Sequence, residues 1–205
     1  ARVHGAEIFV FASTSSVYGH SRELPFIETA PCNRPLAPYP ASKKAGEVMG
    51  YTYHNLHQMN LTALRFFSVY GPRGRPDMMP FMVTDRIIKG DTITLFDAGQ
   101  MYRDWTYVGD IVSGIITALE RPLGYEIINL GRGEPVLMAD FVTIIEDLAG
   151  KKAKLSTPPA PASEPKITHA SIDRARRLLD YNPQTSIRVG LENMWNWYQR
   201  EVIPD

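Results

Sequence analysis

Two short runs of β-branched and aromatic residues, "EIFVFAS" (residues 7 to 13) and "LTALRFFS" (residues 61 to 68), bracket a long stretch with helical periodicity. No other feature constrains the fold as much, because strand, helix and strand in that order make a βαβ unit. Its right-handed crossover lays both strands parallel in one sheet. The intervening helix is expected to begin near Pro40, where proline is tolerated in a first turn, and to run through "ASKKAGEVMGYTYHNLHQM". Ligands of open parallel sheets collect at the carboxyl ends of the strands. Both ends carry candidate residues here: Ser13 to Ser16 on the first strand and Ser68 to Gly71 on the second.

After "YGPRGRPD" the pattern shortens. A helix from about Met79 to Lys89 is stopped by Gly90, a strand "TITLF" follows, and another helix begins near Asp110. "YEIINLG", residues 125 to 131, reads as a buried strand. Asp140 and Ser171 are expected to cap the helices "FVTIIEDLAG" and "IDRARRLLD", each accepting an otherwise unpaired backbone N–H. "TPPAPASEP", residues 157 to 165, is a Pro- and Ala-rich connector. The last helix, from about Ile187 to Val202, carries Leu191, Met194, Trp195, Trp197 and Tyr198, a core face rather than a cofactor box.

With 205 residues the chain can build one substantial core or two small lobes, and its 22 basic and 22 acidic residues leave no net field to attract nucleic acid. The lone Cys32 excludes an internal disulfide and a cysteine-based zinc site; an idle thiol and a reducing, cytoplasmic compartment are expected. No segment reaches the roughly 18 continuous apolar residues of a membrane span, and the first residues lack the layout of a leader peptide. No membrane contact is expected within this chain. The strand pattern starts almost at the first residue, as in a piece of a longer protein.

"LAPYPASKKAGE", residues 36 to 47, sets Tyr39 four residues before Lys43, on one helical face. A free phenol has a pKa near 10, and bringing it close to 7 takes about 4 kcal/mol, more than one partly solvated Lys supplies. A second positive charge is implied, and an oxidised nicotinamide ring is a natural source. The spacing alone arises by chance in many helices. The cluster Ser13, Thr14, Ser15 and Ser16 supplies context, although hydroxyls at a strand end also satisfy turn backbone groups.

Taken together, "FVFASTSSVYG", "YPASK" and "LRFFSVYGP" occur in an order and spacing that resembles the extended short-chain dehydrogenase/reductase superfamily, within it the NAD-dependent nucleotide-sugar epimerases and dehydratases. The likeness runs from about residue 7 to the C-terminus. It implies an α/β fold: the C-terminal part of a Rossmann-type parallel sheet with helices, plus a small α/β substrate-binding lobe. Residues 1–72 and about 106–132 would form a partial NAD-binding domain, and about 73–105 and 133–205 the substrate-binding lobe. The family's Gly-rich turn, which seats the cofactor pyrophosphate at a helix N-terminus, does not occur in this chain.

The same resemblance implies roles. Tyr39 is the catalytic acid/base, Lys43 holds the nicotinamide ribose and lowers the phenol pKa, and Thr14, with Ser16 as second candidate, hydrogen-bonds the reacting sugar oxygen. Ser13 and Phe67 fall beside the cofactor, and Ser15 and Ser68 beside the substrate, Ser68 standing where relatives carry Asn. Dehydratases of the family follow the Thr with Asp-Glu, and decarboxylases keep a Glu at the second position. Ser15 and Ser16 stand there in this chain, and a hydroxyl cannot replace a carboxylate in shuttling protons near neutral pH. Epimerisation, which needs one acid/base and a reversible hydride acceptor, is favoured.

"LRFFSVYGPRGRPDMMPF" looks most like UDP-glucuronate 4-epimerases. A planar guanidinium suits a carboxylate or a diphosphate, which makes Arg75 the candidate for the sugar carboxylate, beside Asp77, and Arg103 for the diphosphate. Leu95 and Phe96 fall where relatives hold the uracil; Asp104 and Asp110 read as a turn partner and a helix cap. A late Arg-x-x-Asp pair of many UDP-hexose epimerases is replaced by Pro161 and Glu164. Three readings follow. The first is an NAD-dependent C4 epimerase of a UDP-sugar, homodimeric when intact. The second is a non-catalytic fragment that binds nucleotide sugar or a partner chain. The third is a decarboxylase or dehydratase with displaced carboxylates, which would be supported if Glu47 or Asp77 projected into the site.

Overall fold

The computed structural model describes residues 1–21, 23–161 and 164–203. Residues 162 and 163 of the connector lie outside the described residues.

The first strand, β1 (Ile8–Thr14), leads through a 3-10 turn at Ser15–Tyr18 and a long loop to helix α1 (Pro38–His57), which returns the chain to β2 (Asn60–Phe66). Helix α1 starts two residues earlier than the expected Pro40, because Pro38 also fits a first turn that needs no backbone donor. Next come β3 (Ser68–Tyr70), α2 (Met79–Lys89), β4 (Thr92–Thr94), β5 (Tyr102–Arg103), β6 (Trp105–Tyr107) and α3 (Val108–Glu120). The remainder is β7 (Tyr125–Leu130), β8 (Val136–Leu137), α4 (Met138–Ala149), β9 (Lys154–Ser156), α5 (Asp173–Leu179) and α6 (Ile187–Glu201).

Strands β1, β2 and β7 form a parallel sheet in that order, with Ser13 opposite Arg65 and Arg65 opposite Asn129. The central strand is buried from Leu61 to Arg65, as expected of a parallel strand covered on both faces. Among the described residues β1 is paired on one side only. Helix α1 lies close on the sheet because Gly46 faces Phe11; a Cβ there would stand 2.3 Å from that ring. Shorter pairings, β3 with β6, β4 with β9 and β5 with β8, carry the chain beyond the sheet's carboxyl edge. None of the described helices is long and apolar enough to cross a membrane.

Three expected caps are corrected. Strands β6 and β8 run straight into α3 and α4, so extended Tyr107 and Leu137 occupy the cap positions, and Asp110 and Asp140 fall inside the first turns. Asp110 instead accepts the Gln184 and Thr185 backbone N–H groups, tying α3 to the chain before α6. Helix α5 is preceded by Ile172, leaving Ser171 to touch Asp173 rather than cap.

Two cores result. One lies around the sheet and joins Val17, Leu64, Phe67, Ile111, Ile128 and Leu130; the other joins Tyr70, Ile87, Ile93, Trp105, Phe141 and Leu191. The stretch from Ala170 to Tyr181, placed by sequence in the substrate lobe, packs into the first core through Ala170, Ile172, Ala175, Leu179 and Tyr181. A parallel bridge between Phe26 and Ala170 holds it there. Helix α6 closes on the second core with Leu191, Met194 and Tyr198 buried. Its Gly190 meets Tyr70 so closely that a Cβ would lie 2.1 Å from the phenol oxygen. Gly190→Ala should therefore destabilise the chain by about 1–3 kcal/mol through overpacking, measured as a lower urea midpoint at unchanged slope.

Candidate active site

At the carboxyl ends of β1 and β2 lies an open cleft of about 590 Å³. Its lining combines hydroxyls, from Ser13, Thr14, Ser15, Ser16, Tyr39 and Ser68, with apolar or aromatic side chains, among them Phe66, Phe67, Tyr70, Met78, Pro80, Phe81 and Met194, and with Arg75. The position follows from the sheet: parallel strands end together, and their following turns leave a crevice there.

Strand β1 stops where its side chains begin to bond locally. Thr14 is extended, and its hydroxyl accepts the Ser16 backbone N–H at 3.2 Å, turning the chain into the Ser15–Tyr18 helix. The Thr14 hydroxyl also donates to Ser16 Oγ at 3.2 Å. Thr14 and Ser16 are thus one coupled pair, both facing the cleft.

Tyr39 stands in the first turn of α1 with 56% of its surface exposed. Lys43, one turn on, is not in the cleft lining. Its Nζ lies 5.8 Å from the centre of the Tyr39 ring and 5.4 Å from that of Phe11, and donates to the Ala12 carbonyl at 2.9 Å. The ammonium therefore sits beneath the phenol, fastened to the strand that carries the hydroxyl cluster.

Beneath this surface is a charged network that the sequence reading did not identify. Glu47, on the buried face of α1, is wholly inaccessible to solvent and accepts from Ser13 Oγ at 2.7 Å, from Arg65 Nε and Nη2 at 2.8 Å each, and from Lys44 Nζ at 3.0 Å. Burial by itself would raise the Glu47 carboxyl, but the Arg65 guanidinium and the Ser13 and Lys44 hydrogen bonds outweigh it and hold the carboxyl below its ordinary value. Arg65 extends the network, lying 4.8 Å over the Tyr18 ring, while Tyr18 donates to Asn129 at 2.7 Å. Burial pushes the Tyr18 phenol up to about 12, so this tyrosine stays neutral. The one available signal was an Arg inside an otherwise apolar strand, since a buried guanidinium demands a carboxylate partner.

Several expected residues lie elsewhere. Arg103 is outside the cleft lining: its guanidinium donates to the Tyr102 and Pro165 carbonyls at 2.9 and 2.8 Å and to Glu164 at 2.9 Å. Burial draws the Arg103 pKa below its ordinary value, with Glu164 opposing. Glu164 is thus its carboxylate partner. Leu95 is buried in the second core and Phe96 begins a short 3-10 turn; neither lines the cleft. Asp77 is also outside the lining and pairs with Arg75. Glu47 faces inward, and neither carboxylate is in the cleft lining, so the dehydratase or decarboxylase reading gains no support from them. Asp104 acts as the expected turn partner, accepting the Arg132, Gly133 and Ala170 N–H groups at 2.8, 3.0 and 2.9 Å. Burial nonetheless raises its carboxyl pKa.

A parallel α/β sheet with hydroxyls at one strand end and a Tyr–Lys pair on the crossover helix is a Rossmann-type arrangement. The chain belongs to the NAD dependent epimerase/dehydratase family, whose model matches residues 1–131. It is 42% identical over 199 residues to a UDP-glucuronate 4-epimerase of Thermodesulfobacterium geofontis, covering 97% of this chain and 61% of that protein. Among solved structures it resembles UDP-glucuronic acid 4-epimerase of Bacillus cereus in complex with UDP-glucuronic acid and NAD, with 34% identity and a TM-score of 0.86 over 95% of this chain and 62% of that one. An epimerase of Methanothermobacter thermautotrophicus gives 33% identity and a TM-score of 0.91 over 98% of this chain and 61% of its own. The chain thus spans about three-fifths of the length of these relatives.

Proposed function

We propose that the intact protein inverts C4 of a UDP-sugar, most specifically UDP-glucuronate, with NAD as resident cofactor, and that this chain carries the catalytic and sugar-binding half. The observation that supports this reading is the single cleft into which Thr14, Ser16, Tyr39 and Arg75 converge. Tyr39 exchanges a proton with the 4-hydroxyl, and Lys43 beneath it offsets the charge left on the phenol oxygen. Thr14 and Ser16, already hydrogen-bonded to each other, orient the sugar oxygen. Arg75 meets the sugar carboxylate with its planar fork. The apolar lining residues, among them Met78, Pro80, Phe81 and Met194, take the less polar part of the nucleotide sugar.

The residues present fit one end of the cofactor. Lys43 would hold its nicotinamide ribose, with Tyr39, Ser13 and Phe67 beside the cofactor, whereas the glycine turn for its pyrophosphate does not occur in this sequence. When bound, NAD supplies a reversible hydride acceptor at the sugar carbon. Exposed Val48, Met49, Tyr51, Tyr53 and Leu56 on α1 support pairing of two copies through this helix. The second reading, a chain that binds nucleotide sugar without catalysis, is favoured by the one-sided pairing of β1, the strand on which a dinucleotide half would have to build.

Saturation-transfer NMR of this chain with UDP-glucuronate, UDP-glucose and NAD⁺ tests the reading. Expected are binding of UDP-glucuronate, weak response to NAD⁺, and a loss of UDP-glucuronate affinity of about three- to tenfold in Arg75→Ala, the range for a charge-assisted contact in exposed surroundings. Failure of both UDP-sugars to bind would overturn it.

A further inference from the structure

Arg75 is not idle. Its Nε and Nη2 donate to the two carboxylate oxygens of Asp77 at 3.0 and 2.5 Å, a fork-to-fork pair closed across Pro76. A sugar carboxylate would require the same geometry from the same guanidinium. Among the described residues the Arg75 side chain makes no other hydrogen bond, and a sugar carboxylate that takes the same Nε–Nη2 edge competes with Asp77 for it. Both side chains are largely exposed, at 74% and 65%, and an ion pair in such surroundings is weak enough to exchange. After exchange the Asp77 carboxylate remains beside an incoming anion and repels it.

We propose that Asp77 is a built-in competitor for the sugar carboxylate: it holds Arg75 closed until an anionic sugar displaces it, and so sets how strongly the cleft prefers charged over neutral UDP-sugars. This rests on the reading in which Arg75 faces the sugar. A neutral sugar leaves the pair closed and gains nothing from its loss. An anionic sugar that takes the Nε–Nη2 edge opens it, and its affinity carries the penalty of the competition. The pair's exposed position limits that penalty to a few-fold, large enough to tune specificity and small enough for substrate to overcome.

The test is calorimetric titration of the full chain with UDP-glucuronate and with UDP-glucose, in wild type, Asp77→Asn, Arg75→Ala and the double variant. Asp77→Asn should tighten UDP-glucuronate about two- to fivefold and leave UDP-glucose within about 1.5-fold. In the Arg75→Ala background the same substitution should give no such gain, since the competition acts through the guanidinium. An equal change for both sugars, or a gain that persists without Arg75, would mean a general surface-charge effect and overturn the proposal. If Arg75→Ala weakens only UDP-glucuronate while Asp77→Asn changes neither sugar, this proposal falls and the functional reading stands. If neither sugar binds any variant, both fall together.

Discussion

Replacing Tyr39 with Phe is expected to lower kcat for C4 inversion by about 10²–10⁴-fold in a form of the protein that turns over a UDP-sugar. The substitution deletes one oxygen and keeps the ring that stands 5.8 Å from Lys43. Because Tyr39 is exposed, stability should change by less than about 0.5 kcal/mol. The hydroxyl cluster, the apolar lining residues and Arg75 are untouched, so UDP-sugar affinity should stay within about twofold. Loss of kcat at constant affinity identifies a group that acts on the reacting proton rather than one that binds the sugar. Chromatographic measurement of the epimer formed from UDP-glucuronate, beside a direct binding titration, reads the two quantities separately. A variant retaining more than about a tenth of wild-type kcat would remove Tyr39 as the acid/base.

Glu47→Ala should be the most destabilising single substitution around the site, costing about 3–5 kcal/mol, because it leaves the Arg65 guanidinium buried and unpaired. That is a large part of the 5–15 kcal/mol by which domains are ordinarily stable. Replacing the pair together, Glu47→Leu with Arg65→Met, removes both charges and should recover most of the loss; urea unfolding compares the three proteins. Equal destabilisation of the single and double variants would show that lost packing, not an orphaned charge, dominates. Acid provides a second reading. The folded Glu47 carboxyl ionises below its ordinary value of 4.5. Its contribution is therefore complete above pH 4.5 and disappears as the pH falls through the folded value. Stability measured from neutral pH into that acid window should fall less steeply in Glu47→Gln than in wild type.

The network also bears on the chemistry. Ser13 and Arg65 are opposite one another in the β1–β2 register, and both bond the same carboxylate on α1. Lys43 adds a second tie to β1 through the Ala12 carbonyl. The helix bearing the phenol and the strand bearing the hydroxyls are thus clamped at the level of the cleft. Residues placed on regular elements and held by buried hydrogen bonds keep the fixed geometry that proton transfer requires.

What the sequence by itself determined was local or carried by short motifs. Strand and helix periodicity placed β1, α1, β2 and α2 within about two residues, since each pattern repeats within a few positions and needs no knowledge of the chain's path. The run of hydroxyls after β1 and Tyr39 fall in the cleft lining, with Lys43 against the Tyr39 ring, because a helix turn and a strand end are set by neighbours in the chain. Only the tertiary structure decided which distant groups meet. Glu47 finds Arg65 across 18 positions, Arg103 finds Glu164 across 61, and Met194 of the last helix reaches a cleft built by the first strands. The same holds for the caps: Asp110 and Asp140 have suitable chemistry, but strands running directly into helices displaced them from the cap position. A side chain's partner is set by the packing of whole elements, and buried charge must find its counter-charge wherever that packing brings one.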